Sequence, residues 1–83
     1  MTPKEAANLA MSYAADMMGD SVADIRLEEI DRGGTNWNIT LSWVTGVPMG
    51  LTAAVYATKP REYKVFSIHG DTRELLAMRI RKL

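Results

Sequence analysis

The chain has 83 residues, 47% of them hydrophobic and 24% charged, with a formal net charge of zero at pH 7 and no cysteine. This length and composition predict one globular domain, 1–83, and exclude disulfides, thiolate metal sites and cysteine nucleophiles, so a reducing, cytoplasmic setting is favoured. No apolar run approaches the roughly 20 residues of a membrane-spanning helix, and we expect neither a secretory signal nor membrane association.

The first predicted element is a helix over residues 3–18. Thr2 can cap it, Pro3 suits the first helical position, and Glu5 stands where a capping box needs an acid. Gly19 is a natural stop at the C-terminal end. Apolar residues recur at helical spacing and predict one buried stripe, made of Ala6, Leu9, Ala10, Tyr13, Ala14 and Met17.

Two strands are predicted next, over residues 22–31 and 37–43, with a turn at 32–36 between them. In the first strand, Ile25 and Leu27 share one face. The second alternates between apolar and polar side chains, which indicates a sheet with one covered face and one wet face. Its covered side has Trp37, Ile39, Leu41 and Trp43, and its wet side has Asn38, Thr40 and Ser42. We expect the covered side to pack against Leu9, Tyr13 and Met17 of the helix.

Residues 44–60 stay open between a short strand, a helical turn and an apolar loop, because Gly46, Pro48 and Gly50 interrupt the pattern. Strands are predicted again over 61–68 and 74–81, joined by a turn at 69–73. In the last strand Leu76, Met78 and Ile80 alternate with Ala77, Arg79 and Arg81. The predicted fold is therefore α+β: one N-terminal helix on an antiparallel sheet of four strands, or five if 44–60 adds one.

The last hairpin, REYKVFSIHGDTRELLAMRIRKL, is similar to the hairpin ending I-D-x-x-T-G-E-V-L that closes the sheet of PepSY-like domains. The element order also resembles the cystatin-like fold. A T-P-x-E-A helix, a W-x-I-T strand and an R-x-Y-K-V-F hairpin resemble those of a group of small bacterial proteins. PepSY-like modules bind or inhibit peptidases and cystatin-like proteins include protease inhibitors, so the resemblance implies an interaction module.

The chain departs from these families at several points. His69 replaces the hairpin aspartate, and Arg73 replaces the hairpin glycine. We expect Arg73 to resist a positive φ, so that the turn differs in type. The glycine-containing strand–turn and the Pro-Trp turn of inhibitory cystatins are both missing, which weakens the implication of protease inhibition.

The sequence predicts no catalytic or metal-binding group. His69, the only histidine, has Asp71 and Glu74 nearby, but this pattern is typical of a polar turn. Ser67 is the hydroxyl nearest to His69 in sequence and would be the candidate nucleophile, but nothing in the sequence supplies an oxyanion hole for it. Glu28 and Glu29 are expected on opposite faces, as neighbours on a strand are, and so are interpreted as surface charges. We therefore predict no enzyme activity, no cofactor and no metal.

Charge is distributed unevenly along the chain. Residues 1–31 hold seven acids against two bases, and residues 32–83 hold eight bases against three acids, which leaves about −5 and +5. One interpretation is internal pairing when the sheet folds. The other is a basic patch at Arg79, Arg81 and Lys82 for an acidic partner, although basic residues on an edge strand also discourage aggregation. The pI of about 6.6 argues against nucleic-acid binding.

Together these features favour a small protein-binding or inhibitory module that acts by protein–protein contact, with a peptidase or toxin-like enzyme among the expected partners. The alternative is a structural protein that forms a homodimer through the apolar loop or an edge strand. We predict that residues 46–57 carry the contact, because they are too apolar for an ordinary solvated loop. The predicted contact residues are Val47, Met49, Leu51, Val55, Tyr56, Arg79 and Arg81.

Overall fold

A capping box and one apolar stripe set the start and orientation of the helix. A computed structural model describes residues 1–45 and 60–81, and in it helix α1 runs over Pro3–Met18, as predicted. The backbone N–H of Glu5 donates to the Thr2 hydroxyl at 3.2 Å, and the Glu5 carboxylate accepts from the Thr2 N–H at 3.4 Å. The helix ends at Gly19, which has φ 55° and is followed by a short 3-10 turn, Gly19–Ser21.

The strands are β1 (Val22–Gly33), β2 (Asn36–Thr45), β3 (Glu62–His69) and β4 (Leu75–Ile80). They form one antiparallel sheet in the order β1-β2-β3-β4, and α1 packs on one face of it. The α+β arrangement of one helix on a four-stranded antiparallel sheet is therefore confirmed. Of residues 44–60, for which a fifth strand is one of the alternatives, Val44 and Thr45 belong to β2, and residues 46–59 lie outside the described residues.

Small residues on the helix face large ones on the sheet. Ala6, Ala10 and Ala14 are fully buried, which lets the helix approach the sheet closely. The predicted contacts of Leu9 and Tyr13 with this core are confirmed. The sheet contributes six core side chains, namely Trp37, Ile39, Leu41, Trp43, Phe66 and Ile68.

The prediction that Met17 packs on the sheet is wrong. Its side chain is 48% exposed, whereas Met18 packs against the core. The buried series Ala6, Ala10 and Ala14 continues at four-residue spacing to Met18, which leaves Met17 at the margin of the contact.

Two register shifts interrupt β1, between Ala23 and Arg26 and between Leu27 and Glu29. Ile25 packs against the core, but Leu27, which pairs with buried Leu41, stays 42% exposed on this edge strand. The second shift adds one residue opposite β2, so strict alternation of side chains fails there.

The turn between β3 and β4 contradicts one expectation. Arg73 has φ 65°, although we expected an arginine to resist a positive φ. Its N–H donates to the His69 carbonyl at 2.9 Å, and its own carbonyl accepts from the Tyr13 hydroxyl at 2.7 Å. Its guanidinium pairs with Glu5 at 3.0 Å. These contacts with α1 offset the cost of the left-handed conformation.

The His69 side chain makes two hydrogen bonds within the turn between β3 and β4. Its Nδ1 accepts from the N–H groups of Asp71 at 3.1 Å and Thr72 at 3.2 Å, as a turn aspartate would. This gives the imidazole a structural role in the turn.

Strand β4 also begins with a register shift. Leu75 pairs with Ile68 and packs against the core, whereas Leu76, which the alternation grouped with Met78 and Ile80, is 48% exposed. The extra residue at the shift is what breaks the predicted alternation.

Candidate functional site

Among residues 1–45 and 60–81, strand β4 is an outer strand of the sheet. The Arg81 N–H donates to the Tyr63 carbonyl at 2.9 Å, so Arg81 points its backbone groups at β3. In an antiparallel ladder the next residues alternate in direction. The backbone N–H and C=O groups of Ile80 and Met78 therefore point away from β3, to the side where the described residues place no further strand.

The side chains of the same two residues are apolar and exposed. Met78 pairs with Phe66, and Ile80 pairs with Lys64, which places both on the face that carries α1. However, α1 lies over β1, β2 and β3, and Met78 stays 38% and Ile80 71% exposed. We call Met78 and Ile80, with their outward backbone groups, the β4 edge.

The opposite edge of the sheet is protected against pairing. Besides its two register shifts, β1 has Asp24 at φ 55°, and charged residues follow along the strand. Shifts, strain and charge all discourage another strand from adding to an edge. The two edges therefore differ, and β4 is the one suited to strand addition.

The face of the sheet opposite α1 was predicted to be wet, but three of its hydroxyl residues are buried. Ser42 is fully buried, Thr40 is 4% exposed and Ser67 is 6% exposed. Arg61 donates to the Ser42 hydroxyl at 2.9 Å and also pairs with Asp24 at 2.9 Å. The long side chain of Arg61 thus covers Ser42 on this face.

Both Glu28 and Glu29 lie on this polar face, so the prediction that they face opposite sides is wrong. Glu28 accepts from the Ser42 hydroxyl at 2.8 Å, and Glu29 pairs with Arg81 at 2.6 Å. The register shift between Leu27 and Glu29 brings the two carboxylates to one side.

The ion pairs explain much of the uneven charge along the chain. Arg61–Asp24, Arg73–Glu5 and Arg81–Glu29 each join the basic part of the sequence to the acidic part. Internal pairing, one of the two interpretations, is thus present in the folded chain.

Of the predicted contact residues, the structure describes only Arg79 and Arg81. Arg81 pairs with Glu29 and donates to the Thr40 hydroxyl at 3.0 Å. Arg79 is exposed and makes no ion pair with residues 1–45 or 60–81. The other predicted contacts, Val47, Met49, Leu51, Val55 and Tyr56, lie outside the described residues, as does Lys82 of the basic patch.

The carboxylates in these pairs make stability depend on pH. Burial raises the pKa of Asp24, but hydrogen bonds from Arg61 and Arg26 outweigh it and hold that pKa below its usual range. The hydrogen bond from Thr2, and then that from Arg73, lowers the pKa of Glu5. A carboxyl group whose pKa is lower in the folded than in the unfolded state stabilises the folded protein at pH values above its unfolded-state pKa, which is about 4. This stabilisation is lost as the pH falls through the folded-state pKa.

We therefore expect the urea midpoint of unfolding to fall between about pH 6 and about pH 3, and to fall less in Asp24→Asn. Asparagine tolerates the positive φ at this position, so the change removes charge and leaves the backbone conformation accessible. Asp16→Asn, at an exposed helical position, is the control and should keep the wild-type fall. Equal falls in Asp24→Asn and the wild type would contradict the assignment.

Within the described parts of the chain, no three His, Asp or Glu side chains are grouped so that they could hold a metal ion. In the same residues, no helix combines the length and the apolar character that crossing a membrane requires.

No protein-family model, curated protein or solved structure matches this chain. The resemblance to PepSY-like and cystatin-like domains therefore rests on the sequence features alone.

Proposed function

We propose that this chain is a small protein-binding or inhibitory module that takes up a strand of its partner at the β4 edge and catalyses no reaction. One observation supports this most: Met78 and Ile80 combine outward backbone groups with exposed apolar side chains. Strand addition uses both, because backbone hydrogen bonds supply affinity and alternate side chains supply specificity.

The energetics favour contact at this edge. Full burial of a large aliphatic side chain stabilises by about 1.5–3 kcal/mol, and Ile80 is 71% exposed in the isolated chain. A paired strand would also bond to the outward-facing N–H and C=O groups of Met78 and Ile80. The exposed Arg79, on the other face of the same strand, would add contact with acidic groups of the partner.

The class of partner is proposed from the sequence resemblance. Since PepSY-like and cystatin-like domains include modules that bind or inhibit peptidases, we place a peptidase or toxin-like enzyme first, in the cytoplasm. Residues 46–57 remain a predicted second contact. Of the fold that the resemblance implies, the structure contains the coarse arrangement of one helix on an antiparallel sheet.

A homodimer is the second candidate, because β4 can pair with a copy of itself. An antiparallel pairing centred on Met78 would set Arg79 opposite Ala77 of the second copy, which keeps the two Arg79 guanidinium groups from facing each other. Light scattering across a dilution series distinguishes the candidates: a monomer at all concentrations favours the binder, and a dimer that Ile80→Ser dissociates favours assembly.

The test for the binder compares two exposed apolar residues at opposite edges. A partner recovered with the wild-type chain is purified, and its affinity is measured against Ile80→Ser and against Leu27→Ser, whose side chain is 42% exposed on β1. We expect Ile80→Ser to weaken binding at least about tenfold, as loss of a buried apolar contact should. Unchanged affinity in Ile80→Ser, or equal losses in both variants, would contradict binding at β4.

A further inference from the structure

The polar face of the sheet, on the opposite side from α1, contains a groove with walls of opposite charge. The groove has a volume of about 370 Å³. Glu29 and Asp31 of β1 line one wall, and Arg79 and Arg81 at the β4 side line the other. Its floor is formed by Asn38, Thr40 and Val65 of the central strands.

Strand pairing fixes where these side chains lie. One row across the sheet runs Glu29–Thr40–Val65–Arg79, and the next row runs Asp31–Asn38–Ser67–Ala77. Residues paired in antiparallel strands share a face, so Arg79 and Asp31 stand at opposite sides of one surface.

Two of the four wall charges are already paired with each other. Arg81 and Glu29 form an ion pair at 2.6 Å. Arg79 and Asp31 make no ion pair with any residue in 1–45 or 60–81. The groove thus offers one cation and one anion to a ligand. The polar groups of its floor already have partners, because the Asn38 side-chain oxygen accepts from Ser67 at 2.8 Å and the Thr40 hydroxyl accepts from Arg81 at 3.0 Å.

We propose that this groove binds a short zwitterionic peptide of dipeptide length, with its carboxylate at Arg79 and its ammonium at Asp31. A ligand with one charge only would meet a wall of like charge, whereas a zwitterion complements both walls. Arg79 and Asp31 stand on strands about 14 Å apart and in neighbouring rows about 7 Å apart, so strand geometry separates their α-carbons by about 16 Å. An extended dipeptide spans about 7 Å, and the Arg79 and Asp31 side chains, which both line the groove, would cover the remainder.

The test is an amide chemical-shift titration of the labelled chain with alanyl-alanine. We expect the backbone amides of Asn38, Thr40 and Val65 to shift, with a dissociation constant of about 1 mM, as befits so small a ligand. N-acetyl-alanyl-alanine lacks the ammonium group and alanyl-alanine amide lacks the carboxylate. Each is expected to bind at least about tenfold more weakly.

Variants of the protein provide the matching comparison. Arg79→Gln and Asp31→Asn should each weaken binding at least about tenfold, whereas Lys4→Gln and Asp16→Asn, which remove the same charges from α1, should leave it unchanged. The proposal is overturned if the three floor amides do not shift at about 20 mM dipeptide. Full affinity for either capped dipeptide, or in either groove variant, would overturn it as well.

Discussion

Replacing Trp43 by alanine is expected to lower the free energy of unfolding by about 3–5 kcal/mol, the usual cost of truncating a buried aromatic residue. Trp43 is fully buried, and its ring meets Phe66 edge-on with centroids 6.1 Å apart. A chain of 83 residues has a total stability of roughly 4–12 kcal/mol, so this single change removes a large share.

Urea denaturation followed by circular dichroism measures this loss, with Met17→Ala as the control. Met17 is 48% exposed, and we expect its truncation to cost less than about 1 kcal/mol. If Trp43→Ala were no more destabilising than Met17→Ala, the placement of Trp43 at the centre of the core would be wrong.

The substitution Gly70→Ala is expected to lower the free energy of unfolding by about 1–3 kcal/mol, the usual cost of adding an atom to a tightly packed contact. The two hairpin turns meet here, because the Gly70 N–H donates to the Thr35 carbonyl at 2.8 Å. A β-carbon on Gly70 would lie 2.6 Å from the same carbonyl oxygen, so the turns would have to separate.

Gly33→Ala is the matched control for this prediction. A β-carbon there would approach only the Asn38 side chain, at an ordinary 3.8 Å, and alanine in a strand is favoured over glycine. We expect its melting temperature to equal or exceed that of the wild type. A Gly70→Ala variant as stable as Gly33→Ala would show that the two turns are not in close contact.

The helix and the central strand could be predicted because their signals are local. The capping box at Thr2 and Glu5 needs only four consecutive residues, and α1 begins where it predicts. The alternation at 37–43 likewise reports a strand without any knowledge of its neighbours. Such locally predicted elements are present in the folded protein because the backbone and the side chains favour the same structure at each position.

The register shifts could not be predicted from the sequence, and they caused the errors on β1 and β4. A register shift depends on how two strands pair, so the sequence around Glu28 and Glu29 alone does not indicate that both carboxylates lie on one face of the sheet. The positive φ of Arg73 is similar: it depends on Tyr13 and Glu5, more than 55 residues away in sequence.

From the sequence we predict the contact chiefly in residues 46–57, which lie outside the described residues, and the β4 edge enters the proposal from the structure. A helix with its side chains is about 10–12 Å wide, whereas four strands extend over about 14 Å. One helix therefore leaves an outer strand uncovered, and the alternation of Met78 and Ile80 in the last strand was the available signal. Which outer strand is uncovered depends on the packing of α1, which the sequence did not indicate.

The most direct test of the proposed function is amide hydrogen exchange along β4, measured for the free chain and for its complex with the purified partner. In the free chain we predict slow exchange at Arg79 and Arg81, whose N–H groups face β3, and fast exchange at Met78 and Ile80. Binding by strand addition should slow exchange at Met78 and Ile80. Unchanged exchange at these two amides in the complex, with protection only on α1 or β1, would contradict the proposal.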